Sequence, residues 1–346
     1  MGPLLGLLVL LSLSVRASYE GLDLAALKSD PIASYTRPCC SFANSFLQHK
    51  LGLSGLYLEP AKLKSHFYLR KSGSDKVGLI YTCRGGFLDI SHLRDNADWT
   101  AQVRYNLRAW LEAGLEVSAR TEGSFHARSV VFPKLSGEEL SALSESDLDL
   151  IAVAVGNSMA LLHEIPTAFN IQKGSAFSLE DAYSNLLGSY LGVRAVRDPR
   201  PYDEAMTAIL SSTLADLGAL REKDTVRTHK LVKGLWWKDS FSGGFESVLK
   251  RDFTYVGSVT PFLVHTAVQC LDASPETLPV PAILSNGNSV NSYFKLRGVM
   301  KEHFMKKLAK RGVVLPGDLS QDDFPEVIEA IRLDMSSKLG ADLDEN

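Results

Sequence analysis

The sequence predicts an α+β fold: one domain, mostly helical, with one or two small β-hairpins. Three observations carry the prediction. Two pairs of β-rich runs lie early in the chain, each split by a polar or glycine-bearing turn. Helical patterning dominates the remainder of the chain. No internal repeat or low-complexity linker divides it. With 346 residues, 45% hydrophobic and 22% charged, there is ample material for a buried core. A net charge of -3 argues against an unspecific nucleic-acid binder, which would show a basic excess.

Residues 1–17 read as a signal peptide: an uncharged apolar run, then Val15 and Ala17 as small residues before a cut after Ala17. No Lys or Arg precedes that run. It is shorter than the roughly 20 residues of a membrane span, and no later stretch is expected to span. The mature chain is therefore expected in the periplasm or outside the cell, as one α+β domain over 18–340 with a frayed acidic tail at 341–346. An irregular arm leads to a short helix near 41–50. Strands are expected at 66–70 and 77–82 about a polar turn, then a break at Arg84-Gly85-Gly86. A helix over 88–114 comes next, then a second hairpin, 115–120 with 125–132. Helices are expected at 136–143, 146–165, 178–196, 201–217, 301–311 and 323–339, with a strand at 253–256 stopped by Gly257.

Export permits disulfides. Adjacent Cys39 and Cys40 are poor partners for each other, because the ring would be strained. Cys83 with Cys39 or Cys40 is the most economical bridge; buried free thiols are the alternative. The spacing matches no zinc knuckle.

Three segments concentrate polar groups. In a helix starting near Leu88, Asp89, His92 and Asp95 recur every third residue, with Arg84 and Arg94 close in sequence. Such a stripe could bind a divalent cation or hold a histidine as a general base. Equally, Asp89 could serve the helix start and Arg94–Asp95 could be ordinary ion-pairing groups. His163-Glu164 ends an apolar helix rich in small residues. It resembles the start of a zinc-protease helix, but Thr167 stands where the second histidine belongs, and Pro166 argues against a straight continuation. Ser178 reads as a helix cap with Asp181 at the third position, which leaves Glu180, Tyr183, Ser184 and Asn185 unexplained. Trp236-Trp237 fits a core face better than an exposed patch. No nucleophile elbow, phosphate loop or dinucleotide fingerprint is present.

The run from Tyr81 to Asp95, continued by Asp98-Trp99-Thr100, is long and distinctive. With His163-Glu164-Ile165, Ser175-Ala176-Phe177-Ser178, Glu180-Asp181, Tyr183-Ser184-Asn185 and the early Cys39-Cys40 pair, it resembles a bacterial family of exported proteins, domain-of-unknown-function family 4056. The resemblance implies an envelope or secreted protein and no particular activity.

Two functions are expected on chemical grounds. The first is a non-catalytic or ligand-binding envelope protein with a buried His/Asp/Glu cluster. The second is a metal-dependent hydrolase of an envelope or extracellular amide or ester. There His92, His163 and Glu180 would hold one divalent ion, zinc foremost, Glu164 would act as base, and Asp95 and Arg84 would assist. His92 and His163 are expected to face one cavity, with Glu164 and Glu180 at its wall. The partner is an unidentified envelope ligand or substrate, not nucleic acid.

Overall fold

The computed structural model describes residues 32, 36–37, 57–70, 75–119, 123–169, 174–239, 246–264 and 270–339. The expected signal peptide, the helix near 41–50, Cys39, Cys40 and the acidic tail lie outside the described residues. Among those described, eight α-helices and small antiparallel sheets of two or three strands build a single α+β unit. The helices are α1 (Ile90–Ala113), α2 (Gly137–Ser141), α3 (Glu145–Thr167), α4 (Leu179–Arg197), α5 (Tyr202–Asp216), α6 (Glu222–Leu231), α7 (Glu302–Ala309) and α8 (Phe324–Leu339). The strands are β1 (Leu79–Thr82), β2 (Gly86–Asp89), β3 (Glu116–Ala119), β4 (Phe125–Val131), β5 (Trp237–Asp239), β6 (Glu246–Val248), β7 (Ser258–Val259), β8 (Leu278–Pro279) and β9 (Lys295–Met300).

Helix α1 is the axis of the fold and packs against α4 and α3. The sequence permits this through small residues. A Cβ at Gly188 of α4 would sit 2.2 Å from the Leu93 carbonyl oxygen, and one at Gly192 would sit 2.3 Å from that of Ala97. Neither position has room for a side chain, so the two backbones touch. Helix α3 is long and apolar enough to cross a membrane by length and composition alone, but 72% of its most apolar stretch is buried in the fold. It behaves as a core helix. Pro166 does not stop it, since α3 runs on to Thr167. In a last turn, proline removes only one internal hydrogen bond.

The second hairpin forms as expected, β3 on β4, and β9 joins it from far along the chain. The first hairpin differs from expectation. Residues 66–70 form no strand; β1 pairs instead with β2, Leu79 opposite Asp89 and Thr82 opposite Gly86. The reason is competition for backbone donors. The Tyr68 N–H donates to Asp203 at 2.8 Å and the Leu69 N–H to Asp98 at 3.0 Å, so carboxylates claim groups that a strand ladder would use. Gly86 opens β2 at φ +62, and a Cβ there would lie 2.5 Å from the Phe262 carbonyl oxygen. Glycine is the residue that tolerates both conditions.

Cys83, in the turn of this hairpin, bonds to Cys270. The expected bridge to Cys39 or Cys40 is thereby replaced. A strap of chain leading into β8 explains the choice: the Glu276 N–H donates to the Arg84 carbonyl at 2.8 Å, and Tyr183 Oη donates to the Glu276 carbonyl at 2.7 Å. Cys270 is thus carried to the hairpin tip from 187 residues away. The strand expected at 253–256 is irregular, and β7 begins only after Gly257. Trp236 and Trp237 are buried in a second apolar cluster beside β1, as expected.

Candidate metal centre

The β1–β2 hairpin delivers Asp89 directly into the start of α1. Its side chain caps the helix, with Oδ1 accepting from the Ser91 N–H at 2.7 Å and the His92 N–H at 3.2 Å. Its own N–H donates to Ser184 Oγ on α4 at 2.9 Å. One helical turn on, His92 faces α4. There His92 Nε2 lies 3.7 Å from Asp181 Oδ1, and Nδ1 lies 3.2 Å from Asn185 Oδ1. A proton on Nδ1, donated to Asn185, leaves the Nε2 lone pair directed at Asp181. Asn96 steadies the partner by donating from Nδ2 to the Asn185 carbonyl at 2.6 Å. One potential ligand atom each from Asp89, His92 and Asp181 fall within 4.8 Å of one another, and all three residues are buried.

More acid surrounds this triad. Glu180 is 1% exposed, and neither carboxyl oxygen makes a well-aligned hydrogen bond among the described residues, the Ser178 hydroxyl being a nearby donor. Burial and then the neighbouring Asp181 hold its pKa well above the usual carboxylate range. Asp181 is pushed up to about 7 by burial, against the pull of His92 and with the push of Asp89 and Glu164. Glu164 accepts the Phe177 N–H at 2.7 Å. The compensating cation is Arg251, which donates to the Gly174 and Val248 carbonyls at 3.1 Å each and to that of Ala176. Burial lowers its pKa to about 10, while Glu164 and Glu180 pull it upward. Among the described residues, four carboxyl groups therefore share this region with one guanidinium, the buried imidazole of His92 and the partly buried one of His163.

The sequence-predicted residues divide. His92 and His163 come together, with ring centroids 6.5 Å apart; of the expected ligands His92, His163 and Glu180, however, only His92 belongs to the Asp89–His92–Asp181 group, and none of the three lines the cavity beside the cluster. Glu164 and Glu180 stand near them, as the electrostatic coupling to Asp181 and Arg251 requires. Asp95 departs from the expected stripe: successive three-residue steps drift around a helix of 3.6 residues per turn. Its carboxylate is filled by Thr36 Oγ1 at 2.7 Å, Arg37 Nη1 at 2.8 Å, and the N–H groups of Thr36 at 3.2 Å and Arg37 at 3.1 Å. Arg84 is corrected likewise. It sits at the hairpin tip, half exposed, paired with Glu276, roughly 10 Å along the strand from Asp89. Asp181 was expected to serve the start of α4 with Ser178. Ser178 does occupy the N-cap position but makes no side-chain capping bond, and Asp181 turns to His92 instead. Arg251 was missed, since a lone arginine outside any motif carries no sequence signal.

The family model described as protein of unknown function, DUF4056, matches residues 29–265. The chain belongs to this family. No curated protein and no solved structure matches it. The DUF4056 match contains every residue of the acidic cluster and Cys83, and ends before Cys270.

A cavity borders the cluster, lined by Glu164, Asn185, Phe177, Asp252 and neighbours. Its volume is about 20 Å³. That is room for about one water.

Proposed function

We propose that this protein is an exported envelope protein that holds one divalent metal ion through Asp89, His92 and Asp181, in a structural or ligand-binding rather than catalytic capacity. Charge balance is the observation that carries the reading. Among the described residues, Asp89, Glu164, Glu180 and Asp181 are set against Arg251, His92 and the partly buried His163 in a region largely withdrawn from water. Buried carboxylates without matching cations are costly. A divalent ion supplies the missing charge, and one imidazole with carboxylate oxygens is a donor set suited to zinc, manganese or iron. Zinc is the first choice. The Asn185 bond to His92 is the outer-shell contact that orients a metal-binding histidine.

Cavity size supports the first of the two chemical readings. Small-molecule sites typically enclose about 300–1,000 Å³, whereas the cavity bordering the cluster, lined by Glu164 and Asn185 but by none of Asp89, His92 and Asp181, takes about one water. An amide or ester substrate does not fit that cavity. The hydrolase remains the second reading because that cavity touches Glu164, where a base would stand beside a metal-bound water. It would require the chain around Asp252 and Thr254 to move aside. Export rests on the signal-like residues 1–17 and is in keeping with the Cys83–Cys270 disulfide, which suits an oxidising compartment.

Elemental analysis of the purified protein tests the metal. One ion per chain, lost on Asp181→Asn or His92→Ala and kept on His303→Ala, supports the assignment. Wild type that fails to take up zinc, manganese or iron at neutral pH overturns it. N-terminal sequencing of the exported protein should begin near Ser18; an intact Met1 chain confined to the cytosol would refute export.

A further inference from the structure

A much larger cleft lies away from the acidic cluster. It sits where α4 ends and α5 runs past it, bounded by Arg194, Arg197 and Arg200 together with Asp149 and Asp198. Its volume is about 630 Å³, within the range of small-molecule sites. Arg194 is thirteen residues beyond Asp181 on one helix, about 20 Å away. The cleft is therefore independent of the metal reading.

Its charge is not cancelled. Asp149 is shared, accepting from Arg197 Nη1 at 2.6 Å and from Arg104 Nε at 2.6 Å. Asp198 is held by Arg200 through Nε and Nη2, both at 2.7 Å. Arg194 is exposed, and no carboxylate pairs with it among the described residues. Arginines in a last turn are favourable against the helix dipole. That accounts for Arg194 and Arg197 on α4, and the pair with Asp198 accounts for Arg200, but neither accounts for the concavity the three share. The wall between them is apolar, from buried Val193 and Ile209.

We propose that this cleft binds a phosphate-bearing small molecule, its phosphate held by Arg194 and Arg197 and its organic part against Val193 and Ile209. Guanidinium groups grip phosphate oxygens in pairs. Arg197 commits one nitrogen to Asp149 and keeps the others for a ligand. Arg194 is the decisive residue, because removing it strands no carboxylate and leaves the fold intact.

Calorimetric titration with inorganic phosphate and with glycerol 3-phosphate, and flotation with phosphatidylglycerol vesicles, test the proposal on the full chain at low salt. Saturable binding of one phosphate per chain is expected. Arg194→Ala should weaken it about tenfold, the loss of one charge-assisted contact, and Arg194→Glu should abolish it. Arg221→Ala, distant from the cleft, should leave it unchanged. Tighter binding of glycerol 3-phosphate than of phosphate supports a soluble ligand. Arg194-dependent binding to vesicles alone supports the same site reading a lipid headgroup. No binding to any of the three probes, or binding that Arg194→Glu leaves intact, overturns the proposal.

Discussion

On one face of α1, Asp95 and Asp98 meet Arg37; on another, Asp89 and His92 meet Asp181. Both regions are buried and rich in acid, and they are resolved differently. In the first, Arg37 pairs with Asp75, Asp95 and Asp98 at 2.8 Å each, Arg94 joins Asp75 at 3.0 Å, and His66 joins Asp98 at 2.8 Å. Three acids face three arginines, Arg70 lying 3.5 Å from Asp75, and a histidine. Asp98 receives further bonds from the Leu69 N–H and from Tyr202 Oη at 3.1 Å. In the second region, four acids are set against one arginine and two histidines, His92 and the partly buried His163. The balanced cluster is a structural joint that ties residues 36–37 to the core. The other could hold a metal ion through Asp89, His92 and Asp181. Burial alone distinguishes nothing; the ratio of acids to cations does.

The largest expected effect comes from breaking the joint. Arg37→Ala leaves buried Asp95 without a cation and takes one partner from each of Asp75 and Asp98, so a loss of about 3–5 kcal/mol is expected, read as a lowered denaturant midpoint at unchanged slope. A change under about 1 kcal/mol would mean that the joint is not formed. The opposite response is expected from the acidic cluster. Asp181→Asn removes a surplus charge, and the metal-free protein should lose little stability. Zinc at a hundredfold excess over its Kd should raise wild-type stability by about 3 kcal/mol, and a melting curve of the variant should not respond.

Acid should separate two carboxylates of the joint. Asp98 is held down at about 2: burial opposes this, but His66 and Arg37 prevail. Its folded value lies below its unfolded one, so its stabilisation is present above pH 3.8 and is lost as pH falls towards 2. Asp95 is pushed up to about 6 by burial, against Arg37. The folded chain binds that proton more readily, so its contribution rises as pH falls from 6 towards 3.8. Each amounts to about 2–3 kcal/mol. Asp95→Asn should flatten the profile between about pH 4 and 6 while leaving the acid limb; urea titrations across this range check the sign. The smallest effect is expected at Asn185. Asn185→Ala should weaken zinc binding by roughly tenfold through the orientation of His92, with the metal stoichiometry retained. Unchanged affinity would remove Asn185 from the site.

Much of the helical body was legible because local rules decide it. The second hairpin, with Gly123 and Ser124 in its turn, and the long apolar α3 both signal through neighbours in sequence. The polar motifs at 84–99, 163–167 and 175–185 were legible as a group, since each carries groups that need partners if buried. Which of them would meet was not. Asp89, His92 and Asp95 look equivalent at three-residue spacing, yet a turn of 3.6 residues sends Asp95 to Arg37 and His92 to Asp181.

Composition and pattern by themselves thus determined the α+β class, the family resemblance and the set of residues from which a site could be built. Tertiary structure alone decided the partners. Cys83 joins Cys270 across 187 residues, β9 completes a sheet begun at β3, and Arg251 enters the acidic cluster from a segment with no motif. The physical reason is range. Helix and turn propensities act over a few residues, whereas a disulfide, a strand pairing or a buried charge responds to whatever the folded chain brings within a few ångströms.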